Sequence, residues 1–263
     1  MKFNKFIAAI LLFICLLAIY GCGGGSGGSS TAQGGGQLES ITISSNALSR
    51  TMRVNVYLPE GYTDGAGYPV LYIIHGMGAD PDSWMPDLGM NLTANILINE
   101  GKIEPLIIVA PQMDNSYGLG KYEEYLCVDL IQFIDSHYKT NPSREKRFIG
   151  GLSMGGFIAL RSAFLHVDLF SKVGGHSAAL FGYPGITKDE DNPIFIAKSK
   201  DLTSLKVYLD CGSSDPLYKP TAELFNLLQS NGVESENHLY SGGHTGLYWM
   251  AHMSEYLEFY AGI

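Results

Sequence analysis

From residue 40 onward, short apolar runs alternate with longer stretches in which apolar residues recur every three or four positions. The runs predict strands at Ser40–Ser44, Val54–Leu58, Val70–Ile74, Leu106–Ala110, Phe148–Gly151, Lys172–Gly175, Val207–Asp210 and His238–Tyr240. The first two alternate apolar with polar residues, as an antiparallel pair with one wet face does. The later ones read as continuously apolar, as strands covered on both faces must be. Helical periodicity falls at Asn91–Glu100, Tyr122–Tyr138, Met154–Leu165, Pro216–Ser230 and Tyr248–Tyr260. This alternation predicts an α/β fold: a mostly parallel central sheet of about eight strands with helices on both faces. No repeat or second linker interrupts residues 39–263, which predicts one domain, and no long insertion follows any strand, so no large lid is expected.

A composition of 46% hydrophobic and 16% charged residues over 263 positions suits one sizeable core. The first forty residues depart from it. Lys2 and Lys5 precede an uncharged apolar stretch from Phe6 to Tyr20, the pattern of a secretory signal and too short for a comfortable membrane span. It ends in Ile19-Tyr20-Gly21-Cys22, which is similar to a bacterial lipobox with an unusual tyrosine. The expectation is a signal over residues 1–21 and a lipid on Cys22, which would make a membrane the chain's partner. The chain would then be exported and held at the cell envelope, on an outer membrane or the cell surface; the alternative is plain secretion. Residues 22–38 are rich in Gly and Ser and predict a flexible tether, with a reach of roughly 20 Å.

Without the signal, 15 basic residues face 26 acidic ones, a balance of −11 against −9 for the whole chain. With no basic stretch, that balance argues against nucleic acid and anionic lipid as partners. Cys127 and Cys211 remain after the signal and lipobox, and the sequence leaves open whether they pair or stay as buried thiols. The chain has no CxxC, HExxH or Cys/His cluster, so no metal and no cofactor are expected.

In an open parallel sheet, ligands bind beyond the carboxyl ends of the strands. Four loops there carry unusual residues: His75-Gly76-Met77-Gly78, Gly151 to Gly156, Asp210 to Asp215 and Ser241 to His244. Gly151-Leu152-Ser153-Met154-Gly155 matches GxSxG between a predicted strand and a predicted helix. In that context the motif makes a sharp turn that exposes a serine nucleophile, and only small residues fit two positions either side. A serine hydroxyl needs a base, and the base needs an acid to fix its tautomer, in the chain order serine, acid, histidine. His166 and His252 fall within helical patterns and His238 begins a strand, so each reads as structural. His244, in a glycine loop after the last strand, is the expected base. His176 precedes every favoured acid and is at most a pocket residue. Asp215, past the turn that Asp210 begins, is the expected acid, with Asp210 as a brace. The backbone amides of Met154 and Met77 are the expected oxyanion donors. His75 reads as a loop brace that lines the pocket, and Trp84, Tyr117, Tyr183, Tyr248 and Trp249 lie near the expected cleft, Trp249 more as a core residue.

The blocks HGMGADPDSW, EEYLCVDLIQFIDSHYKTNPSREKRFIGGLSMGGF, YLDCGSSDPLY and YSGGHTGLYW, in this order, resemble the esterase D, or Putative esterase, family of α/β-hydrolases. That family includes feruloyl, acetylxylan and enterochelin esterases, S-formylglutathione hydrolases and mycolyltransferases. The resemblance spans about residues 40–263 and implies an α/β-hydrolase fold. It implies a serine esterase with Ser153 as nucleophile, Asp215 as acid, His244 as base and the amides of Met77 and Met154 as oxyanion donors. It places Trp84 near the cleft and marks His176 as a departure, since relatives carry a small residue there. The implied substrate is a small-molecule or glycan-linked ester. An acyltransferase working through the same acyl-enzyme is the alternative within this chemistry, and a non-catalytic binding lipoprotein is the alternative outside it.

Overall fold

The computed structural model describes residues 35–63, 67–114, 116, 118–181 and 188–263. The signal, Cys22 and most of the tether lie outside the described residues, as do Tyr117 and Tyr183. Strands β1 (Gln37–Ser45) and β2 (Arg50–Leu58) form an antiparallel pair, and β2 runs antiparallel to β4 (Ile107–Pro111). The remaining strands, β3 (Val70–Ile74), β5 (Arg147–Leu152), β6 (Lys172–His176), β7 (Lys206–Gly212) and β8 (Glu234–Tyr240), are parallel to β4. The eight-stranded order is β1-β2-β4-β3-β5-β6-β7-β8. β1 begins at Gln37 and the amide of Gly36 donates to Asn95, so the last residues of the expected tether belong to the fold.

The helices are α1 (Met90–Asn99), α2 (Lys121–Glu124), α3 (Ile131–His137), α4 (Met154–Leu165), α5 (Pro193–Ile196), α6 (Tyr218–Ser230), α7 (Gly246–Ala251) and α8 (Met253–Ala261). The predicted helix at Tyr122–Tyr138 is interrupted by a π-helical stretch, Tyr125–Leu130, and the predicted terminal helix breaks at His252. Helices cover both sheet faces and bury a separate apolar cluster on each. One cluster joins Tyr72, Val109 and Val207 to Ile134, Phe157 and Leu224; the other joins Leu71, Ile73 and Ile108 to Leu97, Tyr256 and Tyr260. Each such Leu, Ile, Val or Phe contributes about 1.5–3 kcal/mol on leaving water.

Every residue of α4 from Met154 to Phe164 is buried, which explains a sequence that is apolar all round. That burial fixes the helix that follows Ser153. β8, in contrast, is half-exposed and reads ESENHLY. It departs from the continuously apolar expectation because it is the sheet's edge, where one face and one side meet water. Cys127 and Cys211 are both buried free thiols, and burial pushes each up to about 12.

Candidate active site

β5 runs into Ser153 and α4 starts at the next residue. Ser153 has φ 55° and ψ −116°, a region that non-glycine residues rarely occupy. Neighbouring backbone holds it there. Its amide donates to the His176 carbonyl at 2.9 Å, and its carbonyl accepts the amides of Ala179 at 2.9 Å and Phe157 at 3.1 Å. The turn is closed by backbone on backbone: a Cβ on Gly151 would stand 2.4 Å from the Gly155 carbonyl carbon, and one on Gly155 would stand 2.1 Å from the Ile74 carbonyl oxygen. Neither position has room for a side chain.

His244 lies between β8 and α7, in a loop stopped by Thr245, whose hydroxyl caps the amide of Tyr248. Its Nε2 is 2.9 Å from Ser153 Oγ and its Nδ1 is 2.8 Å from Asp215 Oδ2. A carboxylate only accepts, so Nδ1 carries the proton in the neutral ring and Nε2 is left to accept from the serine hydroxyl. The ring also packs edge-on against Trp249, with centroids 5.0 Å apart.

Asp215 is buried, with Oδ1 accepting the Leu217 amide at 3.0 Å. Burial pushes its carboxyl up, but the hydrogen bonds from His244 and the Leu217 amide outweigh that and hold it below the usual carboxylate range. It is therefore ionised near neutral pH. The acid and base loops are joined by backbone: Ser213 donates to the Tyr240 carbonyl at 2.7 Å and Ser214 to the Gly242 carbonyl at 2.8 Å.

Against Met154, the residue after Ser153, opens a cavity of about 170 Å³ also lined by His75, Met77, Gly78, Gln112 and Asp114, among others. Met154 begins α4, so its amide has no intrahelical acceptor and lies at the positive end of the helix dipole. The Met77–Gly78 turn borders the same cavity. His75 lines it too, yet both ring nitrogens are engaged: Nδ1 donates to the Gly76 carbonyl at 2.8 Å and Nε2 accepts the Met113 amide at 3.0 Å. Burial pushes its pKa down, consistent with a neutral ring that braces the β3 and β4 loops.

Two expected cleft residues are elsewhere. Trp84 is fully buried, with its indole N–H donating to the Ile74 carbonyl at 3.0 Å and its ring against His176 and Tyr256. His176 is also fully buried, between Asp210 and Tyr260. Trp84 gains more from the core than from a wet cleft because its large ring is apolar and its one N–H is paired, and His176 is tolerated there because both ring nitrogens are paired. Tyr248 likewise points inward, to Asp210, and Trp249 is buried as expected. Asp210 is a brace that accepts from His176, Tyr248 and Tyr256. His166 pairs with Glu123 at the end of α4, His252 pairs with Glu255, and His238 lies inside β8. Gln112, Met113 and Asp114 were missed from sequence. The available signal was that β4, parallel to β3, opens its following loop at the same sheet edge. Among the described residues no group of His, Cys, Asp or Glu has the arrangement of a metal site.

The family model described as "Putative esterase" matches residues 45–260. The acetyl esterase of Caldicellulosiruptor saccharolyticus is 26% identical over 230 residues, 74% of this chain and 84% of the relative. The endo-1,4-beta-xylanase/feruloyl esterase of Xylanibacter ruminicola is 34% identical over 135 residues, 46% of this chain and 19% of the relative. The matched segment is thus about a fifth of that larger protein. A solved ferulic acid esterase superposes with a TM-score of 0.81 at 24% identity, covering 87% of this chain and 99% of its own, a likeness of fold. With an eight-stranded, mostly parallel sheet of α/β-hydrolase type and a match over residues 45–260, this chain belongs to the Putative esterase family.

Proposed function

We propose that the protein is a serine carboxylic-ester hydrolase working through Ser153, His244 and Asp215. The observation that carries this reading is the unbroken pair of hydrogen bonds, 2.9 Å and 2.8 Å, from Ser153 through His244 to Asp215. In the reaction, His244 Nε2 takes the hydroxyl proton as Ser153 Oγ attacks the ester carbonyl. The oxyanion of the tetrahedral intermediate lies between the amides of Met77 and Met154. His244 then gives its proton to the departing alkoxide, leaving an acyl group on Ser153. Water, deprotonated by His244, attacks that acyl carbon, the acid leaves, and Ser153 recovers its proton. Asp215 stays ionised throughout and stabilises the imidazolium.

Carbohydrate-linked or aryl esters are the proposed substrates, supported by the acetyl esterase and xylanase/feruloyl esterase relatives. A fluorophosphonate probe is expected to label the wild-type protein at Ser153 and not the Ser153→Ala variant. Turnover of p-nitrophenyl esters of rising chain length, methyl ferulate and acetylated xylan then ranks the acyl groups. A folded wild-type protein that takes up no probe would sink the hydrolase reading.

We also propose that the chain is exported and held at the cell envelope by a lipid on Cys22, with residues 39–263 as the esterase domain. Supporting this are Lys2 and Lys5 ahead of the apolar stretch from Phe6 to Tyr20, Gly21 before Cys22, and the glycine-rich stretch after it. Cells expressing the full chain with radiolabelled palmitate are expected to label the protein, and Cys22→Ser is expected to abolish the label. Equal labelling of both would exclude Cys22 as the anchor.

A further inference from the structure

Asp210 is a fully buried carboxylate that the proposed reaction does not use. Its Oδ1 accepts from His176 Nδ1 at 2.8 Å, and its Oδ2 accepts the hydroxyls of Tyr248 and Tyr256, each at 2.8 Å. A buried carboxylate is tolerable only when its oxygens are fully hydrogen-bonded, and charge-assisted bonds of this length hold their donors firmly. The segments that bring those donors are therefore fixed relative to β7.

Two of those segments support the reacting groups. His176 supplies the carbonyl that accepts the Ser153 amide, and the next residue, Ser177, donates its amide to the Asp210 carbonyl at 2.8 Å. Tyr248 stands in α7, directly after the His244 loop. Its ring lies against Gly242, where an added Cβ would come within 2.7 Å of it. The Gly242 carbonyl in turn accepts the Ser214 amide, one residue before Asp215. A continuous path thus runs from the Asp210 carboxylate through the Tyr248 ring to the backbone that carries His244. Burial and the Asp210 charge both push the Tyr248 hydroxyl up, so it stays a proton donor throughout the working pH range. Tyr256 makes an equal bond to the same oxygen, but from α8, which carries no reacting group.

We propose that Tyr248, anchored on Asp210, is a positioning residue that fixes the loop of residues 241–245 so that His244 keeps both Ser153 and Asp215. The proposal rests on the esterase reading above. Misplacing a catalytic group by 1 Å costs up to about a hundredfold in rate, and loss of one tether that leaves the loop otherwise closed costs less.

The test compares wild type, Tyr248→Phe and Tyr256→Phe with p-nitrophenyl acetate, counting active sites by the p-nitrophenol burst and measuring Tm. Tyr248→Phe is expected to lower kcat per titrated site about tenfold with KM within about twofold. Tyr256→Phe, which removes the same bond from the other helix, is expected to lower Tm comparably and leave kcat per site within about twofold. A merely structural role for Tyr248 would lower the number of titrated sites and leave the rate per site unchanged, which would overturn the proposal. So would an equal fall per site in both variants. Gly242→Ala presses on the same ring from the loop side with the hydroxyl intact, and no fall per site in that variant would also count against it. Absence of both a burst and fluorophosphonate labelling in wild type would instead remove the esterase reading itself.

Discussion

Ser153→Ala lowers turnover of an activated aryl ester by about five to six orders of magnitude, or about 7–8 kcal/mol of transition-state stabilisation. The loss is large because the acyl-enzyme cannot form, and what remains is the weak effect of the oxyanion amides and binding on direct attack by water. The fold should hardly notice. Alanine meets the same backbone demand as serine at φ 55°, so no strain is added or relieved. The removed hydroxyl makes one hydrogen bond, to His244, in a solvent-accessible setting where such a bond contributes about 1 kcal/mol or less. Steady-state kinetics and a thermal melt on the same preparation check both halves. Retention of more than a thousandth of the wild-type rate by a folded variant would show that another group carries the reaction.

Asp215→Asn is expected to lower kcat by about four orders of magnitude near pH 7 while leaving KM and the fold close to wild type. Asp215 uses one oxygen for the Leu217 amide and the other for His244 Nδ1. An asparagine that keeps its oxygen on the Leu217 amide must turn its NH₂ toward His244. The ring then has to accept at Nδ1, and its proton moves to Nε2, the nitrogen that should accept from Ser153. The geometry survives with the wrong tautomer. The variant also lacks the charge that stabilises the imidazolium. A residual rate above a tenth of wild type would show that Asp215 is not the group that orients His244, and Asp210, fully engaged with His176 and two tyrosines, offers no replacement.

These positions were unequally legible beforehand. Ser153 was readable because an elbow is local: strand, small residues two positions either side and a helix whose start coincides with the predicted Met154. All eight strands were found within a few residues: β1 and β2 by their alternation, and β3 to β7 because buried strands leave mostly apolar runs. β8 was the hardest, because an edge strand reads as polar as a loop. Trp84, His176 and Tyr248 were expected near the cleft and lie in the core instead. Their residue types suit either environment, and which one they occupy depends on the face to which each element turns. β6 and β7 pair with His176 beside Asp210, so these neighbours share a face of the sheet and point at tyrosines of the last two helices, His176 at Tyr260 and Asp210 at Tyr248 and Tyr256. A slip of one residue in either strand would put the two on opposite faces.

What the sequence determined by itself is short-ranged: the order of strands and helices, the strained turn at Ser153, and a glycine loop that ends in His244. Hydrophobic periodicity and steric exclusion act within a few residues, and they can be read there. Which acid meets which histidine, and which aromatics leave the cleft for the core, was decided only by the assembled sheet. Asp215 and His244 stand 29 residues apart, and Ser153 and His244 stand 91 apart. Their meeting to within 3 Å depends on strand register, on the backbone bonds between the β7 and β8 loops and on the buried contacts behind them, none of which has a local signature.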